Sequence, residues 1–445
     1  MGSPQTGYSP QRAYIVWAAA TAAYVVAVVH RTSLGVSGLE AAERFGATAS
    51  QLSLFTVVQL VVYAAAQIPV GIVLDKIGPR RLIALGALMM AVGQFGMAFA
   101  DSINVALLAR VLIGAGDATT FVSVLKIIAA WFPPMRAPVL SQLTGQIAQS
   151  GQIISAVPFV VVLHKIEWNA AFALLGFVGI ASCLWVFTWV RDRPSGAGWS
   201  GGGGKVRPID RVPADPHTPA LRGALRTAGS WLGFWSHMIT AFSFNVFVFL
   251  WGYPFLLLGQ GLSQPQASMV FTCMTAAAML MGPLIGLYCS RHPLRRTWLV
   301  FAVVAAIVAA WLVLLVPNSP RPLWVIVVCT IVIASGGPAS LIGLDFARTS
   351  NPTERLGVGS GIANMGGFVG GFTCIMAIGV VLDKVRPDAQ YVLSDFRYAF
   401  SVMLVPLILS ALGVLWTRRT TRREYSQRGI VVPPAREAWK TYRTR

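Results

Sequence analysis

The chain has 445 residues, of which 55% are hydrophobic and only 11% charged, and its formal net charge is +19. That balance lies far from a soluble domain and marks an integral membrane protein. The cations stand between apolar runs and in the tail, with no basic patch of interleaved aromatics, so the charge reads as membrane topology and argues against a nucleic-acid partner.

Cys183, Cys273, Cys289, Cys329 and Cys374 are scattered singly through apolar segments, without metal-ligand spacing or a disulfide framework; no metal or cofactor is expected. The first apolar run lacks a basic leader and a small-residue cleavage site, and is expected to stay as a span. A hydrocarbon core of about 30 Å takes roughly 20 apolar residues in helix. Runs of that kind fall near residues 14–37, 51–74, 82–100, 104–128, 138–163, 169–190, 229–257, 267–288, 297–316, 323–346, 357–382 and 397–417. They predict an all-α membrane fold of twelve transmembrane helices, because they are too long and too uniformly apolar for barrel strands.

Lys76, Arg80, Arg81, Arg136, Arg291, Arg295, Arg296, Arg348 and Arg355 fall on one side of these spans, and Glu40, Glu43, Asp101, Glu167, Asp383, Asp388 and Asp395, with fewer cations, on the other. Cytoplasmic loops carry the excess of Lys and Arg, so both termini are expected in the cytoplasm. After the sixth run, Arg191-Asp192-Arg193-Pro194 leads into a Gly/Ser-rich stretch from Gly196 to Gly204, the composition of a flexible tether. The expected organisation is a six-helix bundle over residues 1–190, a cytoplasmic loop over 191–228, a second six-helix bundle over 229–418 and a basic tail over 419–445. The tail, with Arg419, Arg422, Arg423, Arg428 and Lys440, either lies against anionic lipid or stays solvated. A weak repeat supports the two bundles: Gly71 to Arg81 closes the second run and Gly286 to Arg296 the eighth, with Ser290 where Asp75 stood.

The stretch Gly71-Ile72-Val73-Leu74-Asp75-Lys76-Ile77-Gly78-Pro79-Arg80-Arg81 resembles the signature loop between helices two and three of the major facilitator superfamily of secondary transporters, with Gly71, Asp75, Gly78, Arg80 and Arg81 in the matching places. Arg110-Val111-Leu112-Ile113-Gly114-Ala115-Gly116-Asp117 resembles that superfamily's helix-four signature, an Arg followed by spaced glycines, here Gly114 and Gly116. Tyr24 to Gly38, with Arg31 inside an apolar run, is similar to the first helix of the organic anion:cation symporters and sugar-phosphate permeases, where the resemblance implies an Arg that meets the anionic substrate. The symporter group commonly has an acidic residue before that Arg, and here the place is taken by His30. Asp117 matches a position where many of those symporters carry a Glu used in proton coupling. Trp251 to Phe255 and Gly357 to Phe368 look like helices seven and eleven of permease-like members. The Gly-Pro signature of antiporter helix five is absent from Gly145 to Pro158, and neither the second nor the eighth run has the Arg of nitrate porters.

An ionisable residue at the bilayer centre costs at least about 2.5 kcal/mol, so each needs a partner or a water-filled cavity. Arg31 presents a planar fork suited to a carboxylate or phosphate, or else forms a structural pair. Asp117 lies seven residues beyond Arg110 on nearly the same face, and is a candidate proton carrier or a fixed partner of Arg31 or Arg110. Arg110 itself reads as structural. His30, which titrates near neutrality when unperturbed, is a candidate substrate contact or, turned about 100° from Arg31, faces a different helix. Gln59, Tyr63 and Gln67 form one stripe and Gln146, Gln149 and Gln152 another, while His237, Asn245 and Asn364 lie inside later runs. These side chains line a substrate cavity or glue helices together, at about 0.6 kcal/mol per contact.

Asp75 ends the second run, where the helix dipole disfavours its charge, which predicts donors on a neighbouring helix. The resemblance implies that Gly71, Asp75, Gly78, Arg80 and Arg81 form a latch on the cytoplasmic gate. No constellation of nucleophile, base and orienting group argues for an enzyme. The reading is a monomeric, proton-coupled transporter of a small organic anion in the cytoplasmic membrane; an exporter of lipophilic compounds and a transporter-like anion sensor are the alternatives.

Overall fold

The computed structural model describes residues 9–46, 49–194, 219–386, 391–427 and 429. The Gly/Ser stretch and most of the expected tail, including Arg428 and Lys440, lie outside them. Among the described residues there is no strand. The helices that build the body are α1 (Pro10–Val36), α2 (Ala49–Ile77), α3 (Pro79–Ala98), α4 (Ile103–Trp131), α5 (Ala137–Ile154), α6 (Lys165–Trp189), α7 (Ala228–Gly259), α8 (Gln264–Arg291), α9 (Arg296–Leu315), α10 (Leu323–Ser350), α11 (Leu356–Val385) and α12 (Leu393–Gln427).

Eleven of these are long and apolar enough to cross a membrane. The twelfth is α5, which continues through a π turn at Ser155–Phe159 and differs from the uniformly apolar run expected of it. Its Ser141, Gln142, Gln146, Gln149 and Gln152 lower its apolarity, and a helix so polar survives in a bilayer by facing protein or water. It packs between α1 and α8. Near its start α6 is kinked at Glu167, the one described non-glycine residue with positive φ (65°). The α2–α3 turn is equally local in origin: Gly78 takes φ +83°, open to glycine at little cost, and Pro79 starts α3 where its missing N–H has no helical partner to lose.

Each half buries its own core. Trp131, Phe132, Phe159 and Phe172 anchor the first, and Phe247, Phe255, Trp311, Phe396 and Phe400 the second. The halves meet along two helix pairs, α2 with α11 and α5 with α8. Glycines let these backbones close up: a Cβ added at Gly71 would stand 2.6 Å from the Gly357 carbonyl oxygen, and one at Gly286 would stand 3.0 Å from the Val139 Cα. Contact is tight at the end of the bundle that carries the basic loops. Gln142 is buried there and donates to the Pro338 carbonyl at 2.6 Å; farther along the same helix Gln146 is half-buried, and Gln149 and Gln152 are exposed. Among the described residues, the bonded contacts across the seam run from the central charges to the basic end.

Candidate functional site

Three helices of the first half bring the central charges together. Arg31 of α1 approaches Asp117 of α4, Nη1 to Oδ2, at 3.5 Å; the carboxylate is fully buried and the guanidinium 19% exposed. Arg110, two turns back along α4, donates from Nη2 to the Arg31 carbonyl at 3.0 Å and to the Gln59 Oε1 of α2. It thereby ties α4 to the backbone of the helix that carries Arg31 and to α2. Gly114 and Gly116 allow the crowding: a Cβ on either would press on the Gln59 carbonyl or the Gly86 carbonyl, each at 2.6 Å. The helix-four glycines are thus sites of close approach to α2 and α3.

Above the pair the walls are aromatic. Tyr24 of α1 stacks on Phe121 of α4 with ring centroids 5.2 Å apart, and Tyr63 of α2 lies 4.7 Å from Phe368 of α11. Asn364 of α11 donates to the Tyr63 hydroxyl at 3.3 Å and to the Gln67 Oε1 at 2.9 Å, so the polar stripe of α2 is joined to the opposite half directly beside the charges. Arg31, Asp117, Gln59, Tyr63 and Asn364 form one cluster across the seam.

The other sequence candidates stand apart from it. His30 is completely buried, with its ring against Gly179 of α6, and its backbone carbonyl accepts from Gln94 of α3 at 3.2 Å. It turns away from Arg31, as the helical geometry requires. His237 and Asn245 of α7 both address one residue of α11: the Gly367 N–H donates to His237 Nδ1 at 2.9 Å, and Asn245 Nδ2 donates to the Gly367 carbonyl at 3.1 Å. Gln149 accepts from Gln152 on its own helix at 2.7 Å and is exposed.

At the basic end the signature loop makes a second cluster. Asp75 accepts from Lys126 Nζ at 2.6 Å and, across the seam, from the Gly357 and Val358 N–H groups at 2.9 and 3.1 Å. Those two N–H groups belong to the first turn of α11, which have no partner inside the helix and carry the positive end of its dipole. A carboxylate misplaced at the end of its own helix is thereby well placed at the start of another. Arg80 donates from its backbone to Asp192 Oδ1 at 2.7 Å and from its guanidinium, which lies over the Phe187 ring, to the Phe187 carbonyl at 2.5 Å. Gly78 faces the Asp192 carboxylate, and Arg81 is exposed. Lys126 is the member that sequence reasoning missed; the readable signal is a lone Lys inside an apolar run, nine residues beyond Asp117.

Two apolar helical halves, with a buried charge pair in the first and an ion-paired cluster bonded across the seam, have the make-up of a membrane transporter. The chain belongs to the Major Facilitator Superfamily, whose sequence model matches residues 15–375. A probable galactarate/D-glucarate transporter of Escherichia coli, GudP, is 24% identical over 79% of this chain and 83% of its own length. A probable sulfoacetate transporter of Cupriavidus necator, SauU, is 27% identical over 38% of this chain and 40% of its own, and human sialin is 27% identical over 41% and 37%. The chain thus spans about two-fifths of the length of those two relatives. Among solved structures, an inward-facing bacterial homologue of the human lysosomal transporter Spinster superposes with a TM-score of 0.56, at 18% identity, over 94% of this chain and 98% of that one, a likeness of fold.

Proposed function

We propose that the protein carries a small organic anion across the cytoplasmic membrane together with protons, by alternating access, with its basic loops and both termini in the cytoplasm. The observation that carries this reading is the Arg31–Asp117 pair, a partly accessible guanidinium held by a fully buried carboxylate. An anion arriving at Arg31 competes with Asp117 for the same donor. Protonation of Asp117 removes the competitor, so proton and anion each favour the other's binding, which is a coupling free energy between two sites. Relatives named for galactarate, D-glucarate, tartrate and sulfoacetate transport support an acidic substrate. Tyr63, Asn364 and Gln59 would complete the site, and the Asp75 latch on α11 would hold the outward-facing state and break when the halves rock the other way.

The test is a pH-jump uptake assay in proteoliposomes with sugar acids, dicarboxylates, sugar phosphates and, as the contrary arm, lipophilic cations. An inward proton gradient is expected to drive accumulation of at least one acid. Asp117→Asn should abolish that accumulation while sparing exchange of labelled for unlabelled substrate, and Arg31→Lys should lower kcat/KM at least about tenfold, because a point-charge ammonium does not reproduce a bidentate fork. Transport of lipophilic cations alone, with no acid moved, would overturn the reading.

A further inference from the structure

A small cavity lies in the seam, on the basic side of the central pair, walled by Leu125 of α4, Ser141 of α5, Leu344, Asp345 and Arg348 of α10, and Ser360 of α11. Its free space holds about one water molecule. Leu125 is eight residues beyond Asp117, hence about 12 Å farther along α4 at 1.5 Å per residue. The next residue, Lys126, binds the latch carboxylate Asp75. Another wall residue, Leu356, adjoins Gly357, so the cavity sits beside the gate, on the way a solute released toward the basic end would take.

Two of its eight wall residues are charged. Arg348 Nε donates to Asp345 Oδ1 at 3.3 Å, and the two side chains are 13% and 8% exposed. Burying an ion pair costs about as much in lost hydration as it returns, so stability alone is a weak reason for one here. Ionisable residues inside membrane proteins characteristically mark the path of a solute. The geometry separates this pair from the latch: Asp75 reaches across the seam to α11, whereas Asp345 and Arg348 stand three residues apart on one helix. Lys126 and Arg348 each have a carboxylate beside them, and the buried Arg296 donates to the Asp345 carbonyl and the Thr349 hydroxyl.

We propose that Arg348 is a second anion site, used on the basic side after the gate opens. Parting of the halves admits water to the cavity, which weakens the hold of Asp345 on Arg348 by raising the local dielectric constant. The guanidinium then meets the anion as it leaves Arg31 toward the cytoplasm, or captures it first when transport runs in reverse. Its ligand is the same organic acid, so the inference rests on the anion-transport reading above.

The experiment uses membrane vesicles of both orientations and initial-rate exchange of whichever of D-glucarate, tartrate or sulfoacetate the unaltered protein accumulates. Arg348→Gln should raise the KM for substrate offered at the basic-loop face at least fivefold and move the KM at the other face less than twofold; Arg31→Gln should raise both. Asp345→Asn, which removes the competing carboxylate, should lower the KM at the basic-loop face, the opposite sign. An ion pair with only a structural role predicts the same sign of damage from both changes at both faces, and that result overturns the proposal even if Arg348→Gln proves poorly folded and Asp345→Asn alone is measured. If Arg31→Gln leaves both KM values unchanged while Arg348→Gln does not, the central-site reading fails and the second site stands. If none of the three acids is carried, both fail together.

Discussion

Arg31 and Asp117 were legible from the sequence as ionisable residues inside apolar runs, and their partnership was one of two outcomes that helical spacing allowed. The direction in which a polar residue faces was less legible. His237 and Asn245 look like cavity residues in an apolar run, yet both are spent on the two backbone groups of Gly367, because a glycine-rich helix packed flush on α7 exposes its backbone to side chains. The glycines themselves make a sharp prediction at this scale. Gly114→Ala drives a methyl into the Gln59 carbonyl of α2, at 2.6 Å, and should cost about 1–3 kcal/mol of overpacking. Gly145, also inside a helix, has its nearest neighbour at 3.7 Å, so Gly145→Ala should be neutral or slightly stabilising. Thermal midpoints of the two variants in one detergent, with Gly114→Ala several degrees lower, check the pair.

At the scale of elements, the need of Asp75 for donors followed from its place at a helix end; that the donors are Lys126, 51 residues on, and the first turn of α11, more than 280 residues on, depends on juxtapositions that no local pattern encodes. Hydrogen bonds to a charged group contribute about 1.5–3 kcal/mol each. Asp75→Asn removes the charge from three such bonds and should raise the rate at which a cysteine placed at Ser360 is labelled from the basic side several-fold. Ser290→Ala, at the matching place in the second half, removes a neutral hydroxyl that donates to Leu287 of its own helix at 2.8 Å and should change labelling far less. Equal effects of the two would mean that the two ends of the repeat share the latch evenly.

For the whole molecule, the twelve runs foretold twelve helices in two halves, and the composition left little room for another fold. Where along the seam the halves are bonded was not readable, since each run presents the same apolarity whichever way the halves lean. The bonds across the seam are a handful, among them Gln142 to Pro338 and Asn364 to Gln67. Replacing both donors together, Gln142→Ala with Asn364→Ala, should shift the resting population toward opening at the basic end, read as faster labelling at Ser360 with the Asp75 bonds intact.

The central pair has an electrical consequence. Arg31 and Asp117 cancel, and Arg110 keeps one charge throughout, so on the proposed cycle the empty and loaded crossings differ only by the charge of the cargo. Voltage, at about 2.3 kcal/mol per elementary charge per 100 mV, would then distinguish the two crossings through the cargo alone. One proton with a monovalent acid makes the cargo electrically silent, while one proton with a divalent acid carries a net negative charge inward and is opposed by an interior-negative potential. Imposing a potassium diffusion potential on proteoliposomes at fixed pH gradient should leave uptake of a monovalent acid unchanged and slow that of a divalent one, and the ratio of the two rates counts the protons.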